Sequence, residues 1–529
     1  MRSLEKARLI QIALLSLFLT ACGGGGPVTT STPTTLSTTY SSMGTDFYLT
    51  LPDHLCVSDP ALCNNTPVTN KLIIASPTAT SGEVTFNGTI TAFSVLAGGQ
   101  TEIVLDPATV LTTNESVEAK GIHVTSVAPV SVHVVSENTT SAEGYLALPT
   151  AGLGTNYYVM STASANFNGS EFAVVATQDN TLINVTPAAS GATRPAGTPF
   201  TITLNTGETY QFSNTANGDM TGTNIIADKP IAVFGGHRCA EVPSGLGYCD
   251  YLVEQLPDVS MWGTTHHTVP FSGRSRYTVR VMASQDGTTF SAAPAGMPTT
   301  LNAGQFADVV LSGVGEFLSS GPVLVAQFMH GYADDAAGKG DPSMVLVTPT
   351  AVADSEKGVT DSTFAVHGLA GTSGSFINIV TETATLMDLN LDNAAVNTAL
   401  FTPVNATSLY SSATLPVTPG VHTLHNSAPY SAFVYDYGTA GNAVSYAYPT
   451  GGTLVVTNPV PVQPPVQPPV PAPDPVPNPP VCVDDHDLDD AESHNGAEHH
   501  GRGKHGNESN QGNDHHGEED DDDHECHDD

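Results

Sequence analysis

Residues 153–158 read Leu153-Gly154-Thr155-Asn156-Tyr157-Tyr158. The pattern stands 110 residues earlier as Met43-Gly44-Thr45-Asp46-Phe47-Tyr48, and 109 residues later as Trp262-Gly263-Thr264-Thr265-His266-His267. A second stretch, Val175-Ala176-Thr177-Gln178-Asp179-Asn180-Thr181, returns as Met282-Ala283-Ser284-Gln285-Asp286-Gly287-Thr288. Asp-Asn and Asp-Gly between apolar alternations are hairpin-turn signals. A third element is a proline opening a β-branched run: Pro129 before VSVHVV, Pro230 before IAVFGG, Pro322 before VLVAQF and Pro429 before YSAFVYDY. Proline has no amide hydrogen, so it suits the first residue of a strand. Turns such as Leu204-Asn205-Thr206-Gly207 and Leu301-Asn302-Ala303-Gly304 read as hairpin-like and precede these runs.

Four cycles of about 100 residues, each with six or seven short alternating strands, predict an all-β chain of tandem β-sandwich modules. The approximate bounds are 38–150, 151–258, 259–357 and 358–457. A β-propeller is the alternative. Its blades run to about 40–50 residues, so each cycle would have to supply two.

The whole chain has 529 residues with 52 acids against 15 bases, a net charge of −37. Phosphate would repel such a polyanion, and its densest base cluster is only Arg274, Arg276 and Arg280, so nucleic-acid binding is excluded. With 49 glycines, 38 prolines and a body rich in Thr, Ser, Val and Ala, strands and turns are favoured over long helices.

At the N-terminus, Arg2, Lys6 and Arg8 precede an apolar run from Leu9 to Leu19, then Thr20-Ala21-Cys22. The run is too short to span a bilayer and matches a secretory signal over residues 1–21. Small residues leading to Cys22 resemble the lipobox of bacterial lipoproteins, in which that cysteine is acylated. The Gly23–Gly26 run opens a flexible tether over 22–37. Gly23, in place of Asp, resembles the outer-membrane sorting signal. The expectation is a lipid-anchored, surface-exposed outer-membrane protein, held by acyl chains without crossing the bilayer.

Export makes disulfides the default for the other six cysteines, which fall into three pairs: Cys56/Cys63, Cys239/Cys249 and Cys482/Cys526.

Several of these stretches carry a family resemblance. GTDFYLTLP, GYLALPTAGLGTNYYV, EFAVVATQDNT, ADKPIAVFGGHRC…CDYLVEQLPDVSMWGT and GDPSMVLVTP resemble the IgGFc-binding protein N-terminal domain family over about residues 44–450. The resemblance implies an extracellular, non-enzymatic, adhesive or structural use, with an extracellular protein or glycan as partner. It also implies a structural disulfide between Cys239 and Cys249.

Residues 458–480 hold 12 prolines, the composition of an extended polyproline II spacer. The tail, 481–529, has 18 acids, 2 bases and nine histidines: His486, His494, His499, His500, His505, His515, His516, His524 and His527. With few apolar residues it is expected to stay disordered when free. Imidazoles among carboxylates suit zinc, copper or nickel, and carboxylates alone suit calcium, so weak multisite metal binding stands beside a plain solvated polyanion. No cofactor is required elsewhere.

Enzyme signatures are missing: there is no HExxH, GxSxG or Walker loop, and no GxGxxG after a strand opening a helix. His237 beside Cys239 reads as part of a disulfide neighbourhood. His266-His267 reads as strand packing, and Asp334, Asp335 and Asp341 as turn chemistry with a minor calcium alternative. An envelope polysaccharide enzyme remains the weakest reading, behind adhesion and metal binding.

Overall fold

The computed structural model describes residues 42–334, 338–350, 358–372 and 374–452. The signal, the tether, the Pro-rich spacer and the acidic tail, with Cys22, Cys482, Cys526 and the nine tail histidines, lie outside the described residues. The described chain is nearly all strand, in four antiparallel sheets spanning Gly44–Leu146, Gly154–Leu256, Gly263–Leu346 and Val359–Pro449. Only Val117–Glu118 crosses over, adding an edge to the second sheet.

Each module is organised by one long strand: Ile122–Glu137, Asn224–Ala240, Gly315–Met329 and Gly420–Tyr437. In the second module the first half of Asn224–Ala240 pairs with Thr181–Thr186 and Gly154–Tyr158. Its second half pairs with Ser170–Ala176 and Asp250–Leu256. The sheet therefore curls into two half-sheets that share a strand and enclose a core, a sandwich-like unit.

Two local expectations are corrected here. Pro129, Pro230, Pro322 and Pro429 do not open strands but sit in the middle of the long ones. The ladder breaks register there, as between Ile226 and Ile231, so proline's missing N–H costs no hydrogen bond. Asp179-Asn180 and Asp286-Gly287 do not close hairpins either. The strands on each side, such as Ser170–Ala176 and Thr181–Thr186, both pair with the same long strand and run on in line from one half-sheet to the other. These corners are stitched by side chains: Thr206 N and Oγ1 donate to Asp179 Oδ1 at 3.0 and 2.7 Å. Asn205-Thr206-Gly207 turns the same corner on the return path, between Phe200–Leu204 and Thr209–Ser213.

The Gly-Thr step lies against these bends. In the fourth module Gly358, in a Gly-Val step, stands at the equivalent place: a Cβ there would fall 2.2 Å from Pro429 Cβ, and one on Gly44 would fall 2.3 Å from Pro149 Cβ. Only glycine fits so close an approach.

The modules are not beads on a string. The core of the first module includes Phe234, Tyr251 and Val253 of the second. The second takes in Leu324, Phe328 and Met344 of the third, and the third takes in Phe433, Tyr435 and Tyr437 of the fourth. The core of the fourth then takes in Ile73, Ala75 and Val135 of the first, so the series closes. The sandwiches thus share the radial closure of a propeller with one module per position, not two blades per cycle. A fully buried aromatic contributes about 1.5–3 kcal/mol, so rings such as Tyr251 and Tyr435 make each seam part of the fold's stability.

Candidate functional site

Four short inner strands line the axis of this ring: Ala142–Leu146, Asp250–Leu256, Ser343–Leu346 and Ser445–Pro449. Each touches the next, and the last touches the first. All their residues are buried.

Acidic side chains supply the polar contacts at the axis. Glu143 Oε2 accepts from Met344 N of the third module at 2.9 Å, while Oε1 accepts from Ala447 N of the fourth at 3.2 Å and from Ser343 Oγ at 3.2 Å. Glu254 Oε1 accepts from Leu346 N at 3.2 Å. Asp250 accepts from Tyr251 N at 2.8 Å and from the Ser141 hydroxyl. Burial raises the carboxyls of Glu143, Glu254, Asp250 and Asp341 well above the usual range. The hydrogen bonds to Glu143 and the Arg274 charge near Asp341 only partly oppose it.

His54, Ser141 and Asp250 meet at the first seam, but with the wrong polarity for a nucleophile. His54 Nδ1 accepts from Cys56 N at 3.0 Å, so Nε2 carries the proton and donates to Ser141 Oγ at 3.3 Å. The serine then donates to Asp250. A serine nucleophile needs an imidazole that accepts its proton. Burial also lowers the His54 pKa to about 3.

The first and last described residues leave the ring together. Gly44 abuts Pro149, and Gly452 lies against Leu148. At this proximal end a cavity of about 50 Å³ is lined by Pro257, Trp262, His266, Pro349 and Pro449. Ligand pockets usually span about 300–1,000 Å³, so this one is too small for a large ligand. His266 and His267 are both buried strand residues, and His267 bonds to Thr350 and Glu316, as packing would have it.

The opposite, distal end carries the loops that enter the inner strands, and both described disulfides. Cys56 is joined to Cys63, and Cys239 to Cys249. His54 and His237 each stand two residues before a bridged cysteine and accept its N–H through Nδ1, so His-Xaa-Cys is one device used twice. The buried Glu241 ties the second loop: it accepts from Gly245 N at 3.1 Å and from Asn166 Nδ2 at 2.6 Å. Gly331 N of the third module donates to Val242 O at 2.7 Å.

This loop presents Tyr248, 58% exposed and with φ +70°, its ring centroid 4.9 Å from that of Tyr332. Left-handed backbone costs a bulky residue about 1–3 kcal/mol, whereas an aromatic pair returns about 0.5–1.5 kcal/mol. Packing alone does not account for a tyrosine there. Arg276 alongside is neutralised by a bidentate pair with Asp334, at 2.9 and 2.6 Å. Asp334 is thus committed to Arg276 and His330, Asp335 lies outside the described residues, and Asp341 is buried apart at the axis. Among the described residues no group of three His, Cys, Asp or Glu side chains is placed to hold a metal ion.

The sequence model of the IgGFc-binding protein family matches residues 143–435, from the first inner strand to the fourth long strand. The chain belongs to that family. Human IgGFc-binding protein is 35% identical over 163 residues, which is 30% of this chain and 3% of the human protein. The chain therefore corresponds to a small part of that relative's length. Among solved structures, a 1.5-MDa bacterial ice-binding adhesin retained at the host cell surface is similar at 8% identity, over 59% of this chain and 97% of the solved one, with TM-score 0.11. A Ca²⁺-stabilised adhesin of an Antarctic bacterium is similar at 11% identity, over 78% and 100%, also with TM-score 0.11. Likenesses of that size establish no shared fold. The family match covers modules two and three, the fourth as far as residue 435, and the distal Cys239–Cys249 loop with Tyr248 and Tyr332.

Sequence reasoning missed the axial carboxylates and Tyr248. A Pro-Thr or Pro-Asp step closes each inner strand (Pro149-Thr150, Pro257-Asp258, Pro349-Thr350, Pro449-Thr450), and it would have located the axis. Nothing local marks Tyr248.

Proposed function

We propose that the chain is a surface-displayed binding protein whose rigid ring engages large extracellular ligands, such as a glycoprotein, mucin or matrix polymer, without chemistry. Family membership over residues 143–435 carries this reading. Two features support it: both ring ends leave on the proximal face, and two disulfides staple loops on the distal face. Acylation of Cys22 would then tether the protein to the outer membrane and turn the distal face outward. Cells displaying the full chain, a chain without 42–452, or a chain without 482–529 test it when scored for adhesion to mucin, IgG and bare plastic. Adhesion lost with the ring and kept without the tail is the expected result. Equal adhesion by all three would end the proposal. Labelled palmitate incorporated by the wild type but not by Cys22→Ala tests the anchor.

A second reading, favoured by the nine histidines and 18 acids of the tail, is metal binding there. Calorimetry of the 482–529 peptide with zinc, copper, nickel and calcium decides it. No heat at sub-millimolar metal would sink it.

A further inference from the structure

The geometry points to the distal Cys239–Cys249 loop as a docking surface for a basic extracellular protein, one of whose lysine or arginine side chains sits against the Tyr248–Tyr332 ring pair. This names the partner chemistry of the adhesion reading and rests on it.

The first observation is the placement of Tyr248. The other described non-glycine residues at positive φ are Asn, Asp or Glu, the small or polar types suited to turns, whereas Tyr248 is bulky. Its ring is mostly exposed, so folding gains little from it. An outlier of this kind persists where the surroundings over-determine it, and here they do. The disulfide closes the loop, Glu241 holds Gly245 N, and Gly331 N holds Val242 O. An anchor ordered before binding loses little freedom on contact.

The second observation is charge. Residues 22–481 contain 33 acids and 10 bases, so the ring's field draws cations and repels polyanions. At the patch itself Arg276 is already paired with Asp334 and Arg274 is turned inward to the carbonyls of His330 and Gly331. Neither projects as a lone charge against a cationic visitor.

The third is that this chain puts cations on ring faces elsewhere. Arg194 lies 3.9 Å from the Phe200 centroid, Arg280 4.2 Å from Phe306, and Lys339 Nζ 5.4 Å from Tyr437. Among the described residues none lies over Tyr248 or Tyr332. Exposed Tyr248, with half-buried Tyr332 beside it, offers the electron-rich face that takes an ammonium or guanidinium group.

The test titrates an end-capped hexa-arginine peptide into the purified full chain. The acidic tail adds background, but that background is blind to residue 248. Tyr248→Ala and Tyr332→Ala are expected to weaken binding about two- to fivefold, and Tyr248→Phe, which keeps the ring, to retain it. Equal affinity in wild type and Tyr248→Ala overturns the proposal. Tyr248→Gly guards against simple misfolding, because glycine suits the left-handed backbone. It should melt at or above the wild-type midpoint while losing the same share of affinity. If it melts well below wild type, the ring is a structural prop and the site falls. A chain that adheres to cells but ignores residue 248 overturns this site alone. A chain that adheres to nothing overturns the adhesion reading and leaves the peptide titration to judge Tyr248.

Discussion

Glu143 and Met344 are 201 residues apart in sequence, yet the carboxylate of one accepts the backbone N–H of the other at 2.9 Å across the axis of the ring. The same carboxyl accepts from Ser343 and from Ala447, so a side chain of the first module is bonded to the third and the fourth.

Above its raised pKa both Glu143 oxygens accept, so there Glu143→Gln would turn an amide donor toward one set of donors. Each buried donor left without a partner costs about 1–3 kcal/mol. The variant should unfold at distinctly lower urea than wild type. Glu254→Gln should lose less, because only Oε1 of Glu254 accepts from a neighbouring module. Equal midpoints for the two variants would show that Glu143 does not hold the ring.

Stability should be highest on the acid side of neutrality and fall as pH rises past 7. Burial raises the carboxyls of Glu143, Glu171, Asp250, Glu254 and Asp341, so the folded chain keeps protons that the unfolded chain releases. That contribution is complete below the unfolded carboxyl pKa of about 4 and is lost as pH rises through the raised folded values. Burial lowers His54, His133, His237 and His266 to about 3. Their unfolded forms take protons below about 6.5, so this contribution shrinks as pH drops from there toward 3 and offsets most of the carboxyl gain. Above pH 7 only the carboxyl effect remains. Thermal melts from pH 4 to 9 check this, and a midpoint still climbing between pH 7 and 9 contradicts it.

Cys239→Ser with Cys249→Ser removes a bridge that closes a 10-residue separation. The chain-entropy estimate for such a loop is about 2–3 kcal/mol. The double variant should melt lower than wild type, and dithiothreitol should lower the wild-type midpoint but add less to the variant. A midpoint indifferent to reductant would count against the bridge.

Gly358→Ala should destabilise by about 1–3 kcal/mol, since its Cβ would meet Pro429 at 2.2 Å and the backbone has to move. Gly247→Ala, with no atom within 4 Å of the new Cβ, is the control and should fold as wild type does. Similar denaturation curves for the two would mean that the long strand bends without needing that glycine.

Period and alternation determined a good deal by themselves. The Gly-Thr steps at 44, 154 and 263, the proline-led runs and the apolar alternation mark four all-β modules, because strand patterning and close-approach glycines are local properties of the chain. The quoted stretches also carried the family. What the prolines and the Asp-Asn turn do was misread, since a corner between half-sheets and a hairpin use the same turn residues. Which of them forms depends on whether the partner strand lies beside the turn or runs past it.

Tertiary structure alone decided the rest. Alternation reports that a face is buried but not which face covers it, so Phe234 in the first module's core and Val135 in the fourth's were invisible before the ring closed. Glu143, an ordinary strand acid in sequence, became an axial acceptor because closure brought Met344 and Ala447 to it. Tyr248 became a strained, exposed anchor because the distal loop was fixed at both ends by contacts far from it in the chain.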